Sequence, residues 1–168
     1  QQQRKMEMMD FLVKQRGLKP EQAATIVGNV QQESGFNEKA IGDHGHAVGI
    51  LQEQRPREKA IQKQFGKRLD QMSWQEQLDA NLWEMKTSEK KAGQEFYGAS
   101  SLEGANKGFL DGERPKEYLD HGVAGKEYAT RLNNARSTLS EYKPSSGNQP
   151  AANATVSGDM AINLNKSE

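Results

Sequence analysis

The chain has 168 residues, 33% of them hydrophobic, and a mean hydropathy of −0.96, so the sequence predicts one small domain with a modest, largely helical core. Its 23 Lys and Arg residues balance 23 Asp and Glu residues, and a net charge of zero argues against binding to nucleic acid or to an anionic membrane surface. No apolar run approaches the roughly 20 residues that span a bilayer, and the absence of cysteine excludes disulfides and thiolate metal sites.

The start of the chain predicts two helices. Met6, Met9 and Val13 recur at helical spacing and predict a first amphipathic helix that stops at Gly17. Pro20 suits the first position of a second helix. This second helix has one apolar face and ends at a glycine; the residues concerned are Ala23, Ile26, Val27, Val30 and Gly35.

Glu33 projects from the edge of that apolar face, in the last turn of the second helix. Apolar neighbours and the negative end of the helix dipole both favour the protonated form of a carboxyl group. A protonated acid near neutral pH can protonate a glycosidic oxygen. Taken alone, a glutamate in the last turn of a helix is more often a solvated surface residue than a catalytic acid. The residues that follow it, up to position 52, favour the catalytic interpretation.

Residues 41–50 predict a short hairpin with a tip of glycine, aspartate and histidine. We expect the hairpin to place Asp43, and backbone amides near Gly45 and Gly49, across a groove from Glu33. Asp43 would there activate a water molecule or stabilise an oxocarbenium-like transition state. The alternative is that Gly-Asp-x-Gly is simply favourable turn chemistry.

The two histidines of the hairpin tip are interpreted as solvated turn residues. His44 and His46 lie one residue apart in a glycine-rich segment, and the only other histidine, His121, is far along the chain. A metal site would need further ligands in a suitable pattern. We therefore predict neither a metal nor a cofactor.

The remaining residues predict further helices and a tail. A third helix covers residues 56–65, and capping boxes at 73–76 and 100–103 open two more. The final helix carries an apolar stripe, and such stripes, together with Trp74 and Trp83, are more typical of core than of a sugar-binding surface. Its members are Tyr128, Leu132, Ala135, Leu139 and Tyr142.

The composition changes after residue 143. Residues 144–158 are rich in Pro, Ser, Gly, Asn and Ala and predict a flexible linker. Residues 159–168 form a tail or begin the next module. The predicted globular domain therefore covers residues 1–143. Since the chain opens with polar residues and lacks both a signal peptide and an initiating Met, we interpret it as part of a longer polypeptide.

An ordered set of motifs resembles the phage tail lysozyme family, small peptidoglycan-cleaving domains related to goose-type lysozymes and lytic transglycosylases. The motifs lie at residues 28–37 (GNVQQESGFN), 42–52 (GDHGHAVGILQ) with Arg55, 109–115 (FLDGERP) and 127–129 (EYA). Two departures stand out. Glu53 follows the Gln where the family usually has an aromatic residue, and Ala47 and Val48 stand where many relatives have Ser or Thr.

The resemblance implies an α+β, mostly α fold, in which a lysozyme-like helical domain carries a small β-hairpin beside the active-site groove. It also implies a muramidase that hydrolyses the β-1,4 bond between N-acetylmuramic acid and N-acetylglucosamine. Glu33 would be the acid and Asp43 its partner, while Ser34, Gly49 and Gln52 would orient the acid and the substrate.

Two other functions remain open. A lytic transglycosylase would use Glu33 as acid and then as base, with no second carboxylate, and would form 1,6-anhydromuramic products. An inactive glycan-binding or structural tail module would be expected to lack the acid. The resemblance also implies a virion setting, in a phage tail or ejected protein with further domains that acts on the cell wall in the periplasm, without nucleic acid or a membrane span.

Overall fold

The computed structural model describes residues 1–144, apart from the side chains of Asp43 and Arg55. Within these residues it contains eight α-helices and a small sheet of three short antiparallel strands, which confirms the predicted mostly α, lysozyme-like α+β fold. The helices are α1 (Gln2–Asp10), α2 (Pro20–Ser34), α3 (Arg55–Phe65), α4 (Trp74–Glu84), α5 (Lys90–Gly98), α6 (Leu102–Glu113), α7 (Lys116–His121) and α8 (Lys126–Glu141). The strands are β1 (Ile41–Gly42), β2 (Ala47–Val48) and β3 (Glu53–Gln54).

Helix α2 is the central element of the fold. It begins at Pro20, as predicted, and ends at Ser34, where Gly35 caps it in a left-handed conformation with φ 57°. The residues of its predicted apolar face are fully buried, in a core that α1, α4, α6 and α8 also line. Helices α6 and α8 pack against α2. The packing of these helices therefore fixes the position of α2 and of its last turn.

The predicted hairpin is present and carries an additional strand. In β1 and β2, Ile41 pairs with Val48 and Gly42 with Ala47. Strand β3 then pairs with β2, which closes the loop between the hairpin and α3. Gly49 lies in this loop with φ +87°, and a Cβ atom there would lie 2.4 Å from the side-chain oxygen of Gln77. Only glycine fits this turn.

A second, smaller apolar cluster lies under the sheet and α3. Its buried members are Val48, Ile61, Leu69, Met72 and Ala80. Phe65 and Trp83 pack against it, whereas Trp74 lies in the main core. Both tryptophans thus contribute to apolar packing, as predicted.

The structure corrects the sequence prediction at three places. The first helix stops before Gly17, as predicted, but its last part, Phe11–Gln15, is a π-helical turn rather than α-helix. Helices α5 and α7 were not predicted. The capping box predicted at 100–103 is wrong by one residue, because Ser101 is the N-cap and its hydroxyl accepts from the Gly104 N–H at 3.0 Å.

The predicted tail lies outside the described residues, which end at Pro144. Within residues 1–144, no helix is both long and apolar enough to cross a membrane.

Candidate active site

Glu33 faces an open groove of about 450 Å³. Helix α2 forms one side, the sheet and the start of α3 form the floor, and the connection between α6 and α7 forms the other side. A groove of this size lies within the range of small-ligand sites. The residues that line it are Glu33, Ala47, Leu51, Gln52, Gln54, Arg57, Glu113, Arg114, Pro115 and Lys116.

The Glu33 carboxyl group is held by an arginine of α8. Its Oε1 lies 2.8 Å from Nη1 of Arg131, and the Arg131 side chain is 3% exposed against 23% for that of Glu33. Arg131 also donates from Nε to Glu127 at 2.7 Å. The apolar surroundings expected for Glu33 are therefore only part of its environment, because a buried guanidinium group fixes one carboxyl oxygen.

A buried amide orients this arginine. Asn29 of α2 accepts from Nη1 of Arg131 at 3.0 Å and donates to the backbone oxygen of Thr25 at 2.8 Å. Its side chain also donates to Asn106 of α6 at 3.4 Å. The Asn of the Gly-Asn-Val motif thus acts on Glu33 indirectly, through Arg131.

Gln52 and Gly49 shape the floor of the groove in different ways. Gln52 lines the groove with φ +50°, and its amide donates to the carbonyl oxygens of Gly49 at 2.9 Å and of Ala40 at 3.2 Å. The N–H of Gly49 donates to the Ala40 oxygen at 2.9 Å. The next amide, that of Ile50, donates to buried Gln77 at 2.8 Å. The backbone near Gly49 is therefore engaged in fixing the turn.

The structure brings together some of the predicted site residues. Glu33 and Gln52 line one groove, whereas the hydroxyl of Ser34 donates to the Val30 oxygen of its own helix at 3.2 Å. Asp43 begins the short 3-10 turn at the hairpin tip, Asp43–Gly45. Its side chain is outside the described structure, so the catalytic role of Asp43 stays a prediction.

A cluster of carboxyl groups around Arg57 was not predicted from the sequence. The Arg57 guanidinium group reaches four carboxylates from four parts of the chain. These are Glu53 at 3.6 Å, Glu84 at 3.2 Å, Glu89 at 3.4 Å and Glu113 at 3.0 Å. Two features of the sequence involve members of this cluster, namely the unusual acid at position 53 and the Glu-Arg-Pro motif at 113–115. Neither feature predicts that these residues lie close together in the fold.

Burial changes the protonation of this cluster. Burial, together with the negative charges of Glu53 and Glu33, raises the pKa of Glu113 to about 8 against the opposing effect of Arg57. Burial likewise raises the pKa of Glu84 to about 7. The pKa of Glu53 is raised well above its ordinary value by burial and by Glu84, to which it is hydrogen-bonded. A hydrogen bond between two carboxyl groups requires a proton on one of them.

A helical scaffold with an acid at a helix end, facing an open groove beside a small sheet, defines a lysozyme-like protein. The sequence model of the phage tail lysozyme family matches residues 3–142, and the chain belongs to this family. No curated protein and no solved structure matches the chain. Family membership assigns to the chain a lysozyme-like function, the cleavage of peptidoglycan, in a phage setting.

Proposed function

We propose that the chain is a muramidase that hydrolyses the β-1,4 bond between N-acetylmuramic acid and N-acetylglucosamine, with Glu33 as the general acid. The observation that carries this proposal is the position of Glu33, at the end of a buried helix yet open to a groove of about 450 Å³. Arg131 and Gly35 hold the acid in place. Family membership supports peptidoglycan as the substrate.

In this mechanism Glu33 donates its proton to the glycosidic oxygen as the bond from that oxygen to the anomeric carbon breaks. A water molecule then adds to the anomeric carbon and loses a proton to a carboxylate. We propose Asp43 as a group that assists this second half. Gln52 would contact the sugar from the groove floor, while Ser34 and Gly49 maintain the backbone on either side.

One observation favours a lytic transglycosylase as the second candidate. Ala47 lines the groove and is almost fully buried, and Val48 beside it is buried as well. Neither side chain offers the hydroxyl that many relatives place here and that would help to hold an attacking water. In a transglycosylase the muramic 6-hydroxyl attacks the anomeric carbon instead of water, and the Glu33 carboxylate accepts the proton of that hydroxyl.

A non-catalytic glycan-binding module is the third candidate. Such a module has no need of an acid in its groove, and Glu33 is both present and open to the groove, so we rank this candidate last. We further propose that the chain acts as part of a larger virion protein, in a phage tail or among ejected proteins, that opens the wall locally from the periplasm.

The first prediction tests the acid. We expect Glu33→Gln to lower the rate of peptidoglycan cleavage by about 10²–10⁴-fold, because the loss of a general acid typically has this effect. The measurement is turbidity clearance and release of soluble muropeptides, with circular dichroism to verify the fold. Glu21→Gln is the matched control, since Glu21 is an exposed glutamate at the other end of the same helix. A Glu33→Gln protein with near wild-type clearance would refute the proposal.

The same digests distinguish the two enzymatic candidates. Mass spectrometry of muropeptides from the wild-type protein should show reducing ends after hydrolysis, and 1,6-anhydromuramic ends would establish transglycosylation. Asp43→Asn adds a second criterion, because a hydrolase that uses Asp43 should lose most of its activity while a transglycosylase should retain it.

A further inference from the structure

Two carboxyl groups line the groove, and only that of Glu33 has been given a role so far. We infer that Glu113 is the second acid–base group of this site, positioned by Arg57, and that it exchanges a proton with Glu33 during each turnover. This inference rests on the proposed muramidase function and adds a residue that the sequence motifs did not mark as catalytic.

The geometry of Glu113 is that of a fixed groove residue. It is the last residue of α6, and its side chain is 10% exposed. One carboxyl oxygen accepts from Nη1 of Arg57 at 3.0 Å, and the other accepts from the amide of Asn81 at 3.1 Å. Both oxygens thus have a donor, while the group still borders the groove. A side chain held in this way meets the substrate in one orientation.

Glu113 and Glu33 occupy similar positions on two different helices. Each acid lies at the C-terminal end of its helix, where the helix dipole opposes a negative charge, and each is paired with a buried or half-buried arginine. Glu84, at the end of α4, contacts the same arginine as Glu113. Three helix ends therefore bring acids towards the same region of the molecule.

The charges around Glu113 favour a proton in this cluster at neutral pH. Charged and polar groups from every surrounding element face Glu113 or its partners. The acids are Glu33 of α2, Glu53 of β3, Glu84 of α4 and Glu89 before α5. The cations are Arg57 of α3, Arg114 after α6 and Arg131 of α8, and Asn81 of α4 is the neutral partner. Arg57 faces four carboxyl groups, of which Glu53 and Glu84 are buried. Arg114 also pairs with one of the four, Glu89. Two cations do not offset four carboxylates that are largely removed from water. The pKa of Glu113, which is raised to about 8, agrees with this excess of negative charge.

These two acids account for every proton that moves during the reaction. In the resting groove Glu113 carries a proton and Glu33 faces the Arg131 cation. The proton passes from Glu113 through a groove water to Glu33, and from Glu33 to the glycosidic oxygen as the glycosidic bond breaks. Water then adds to the anomeric carbon, and the proton that it releases returns to Glu113. One water is consumed, and both carboxyl groups regain their starting state.

The first test is Glu113→Gln, which keeps the shape of the side chain and removes the exchangeable proton. The site can accept the new amide, because the Oδ1 atom of Asn81 is buried without a hydrogen-bond partner among the described residues and can turn to accept from it. We expect cleavage to fall about 10²-fold, with little change in the melting temperature at a pH near the ordinary carboxyl value of 4.5, at the lower limit of the window in which the raised pKa of Glu113 affects stability. Glu103→Gln is the matched control, since Glu103 lies on the same helix, is exposed and does not line the groove.

The pH profile separates an acid–base role from a purely structural one. We expect kcat/KM of the wild-type protein to fall as the pH rises through about 8, where Glu113 loses its proton, and we expect this step to be absent from the residual activity of Glu113→Gln. A structural role would lower the rate equally at every pH. A wild-type profile that is flat between pH 7 and 9 overturns the inference even if the variant fails to fold.

The outcomes also separate this inference from the proposed function. If the wild-type protein cleaves peptidoglycan and Glu33→Gln does not, while Glu113→Gln retains full activity, only the role of Glu113 is wrong. If the wild-type protein releases no muropeptides, or if Glu33→Gln is fully active, the proposed function itself fails.

Discussion

Arg131 is the residue on which the geometry of Glu33 depends. Its guanidinium group contacts Glu33, Glu127 and Asn29, so one buried side chain links the acid of α2 to helix α8. Breaking a buried ion pair by removing one partner typically costs about 3–5 kcal/mol, because a charge is left buried without its partner. Arg131 therefore contributes both to the stability of the fold and to the position of the acid.

We expect Arg131→Met to lower both the melting temperature and the cleavage rate, because the variant leaves Glu33 and Glu127 without their shared partner. Arg131→Lys should keep more activity, since it retains the charge although it loses the planar fork. Thermal unfolding and the cleavage rates of both variants measure these effects.

Arg136→Met is the control for this prediction. Arg136 lies on the same helix, and its pair with Glu103 is exposed on both sides, so its loss should cost no more than about 1 kcal/mol. If Arg136→Met and Arg131→Met behave alike, the contact between Arg131 and Glu33 has no special role.

At the residue scale, the sequence reveals the acid but not its partners. Glu33 and Gln52 were identified from motifs whose members are close together along the chain. Arg131 lies 102 residues from Asn29, and only the packing of α8 on α2 brings them into contact. Glu113 was visible as part of a motif, yet its role depends on Arg57 and Asn81, which belong to other helices.

At the scale of elements, the contact between α2 and α8 depends on one glycine. A Cβ atom on Gly28 would lie 2.7 Å from the backbone nitrogen of Ala135 and 3.0 Å from its Cα atom. The carbonyl oxygen of Gly28 also accepts from the Asn134 side chain at 3.2 Å. Since α8 carries Arg131, the separation of these two helices also sets the position of Arg131 relative to Glu33.

We expect Gly28→Ala to destabilise the protein by about 1–3 kcal/mol, as overpacking of a close contact does, and to lower cleavage by shifting Arg131 away from Glu33. Gly98→Ala is the matched control, since a Cβ atom at this helical glycine meets nothing within 4 Å and alanine is favoured over glycine in helices by about 1 kcal/mol. Denaturant unfolding and clearance assays on both variants test this. A Gly28→Ala protein as stable and active as Gly98→Ala would show that the helices tolerate a wider separation.

Local signals explain which elements could be predicted. Helices α2 and α4 have clear starts and continuous apolar faces, and the hairpin has a glycine-rich tip between short apolar runs. Helix α5 contains Gly93, which weakens a helix in isolation. In the fold a Cβ atom there would collide with the backbone oxygen of Met85. This helix is thus stabilised by tertiary packing, which a sequence pattern does not reveal.

At the scale of the whole molecule, charge is balanced overall but unevenly placed. The formal net charge is zero, while Arg57 faces three acids with raised pKa values, namely Glu53, Glu84 and Glu113. A carboxyl group with a higher pKa in the folded state than in the unfolded state binds its proton more tightly when folded. Its stabilising contribution is therefore fully present below the unfolded-state pKa and is lost as the pH rises through the folded-state pKa.

The pKa values define the pH window. For Glu84 the window runs from about 4.5 to about 7, and for Glu113 from about 4.5 to about 8. Exposed acids have lowered pKa values for local reasons. A hydrogen bond from its own backbone N–H and the pair with Arg136 lower the pKa of Glu103, and the pair with Lys116 lowers that of Asp120. The contribution of these exposed acids is lost only as the pH falls below their ordinary pKa. The two groups of acids together therefore place the greatest stability near the ordinary carboxyl pKa of about 4.5.

We expect the melting temperature of the wild-type protein to fall by several degrees between pH 5.5 and 8.5. One unit of pKa difference corresponds to about 1.4 kcal/mol, and about 1 kcal/mol shifts the melting temperature by roughly 2–8 °C for domains of this size range. Glu84→Gln should flatten this dependence, because the amide has no proton to lose, whereas Glu103→Gln should leave the slope unchanged. Differential scanning calorimetry across this pH range measures all three proteins. A wild-type melting temperature that rises towards pH 8.5 would mean that the carboxyl groups around Arg57 are already ionised in the folded protein, and that the excess of negative charge is stabilised in another way.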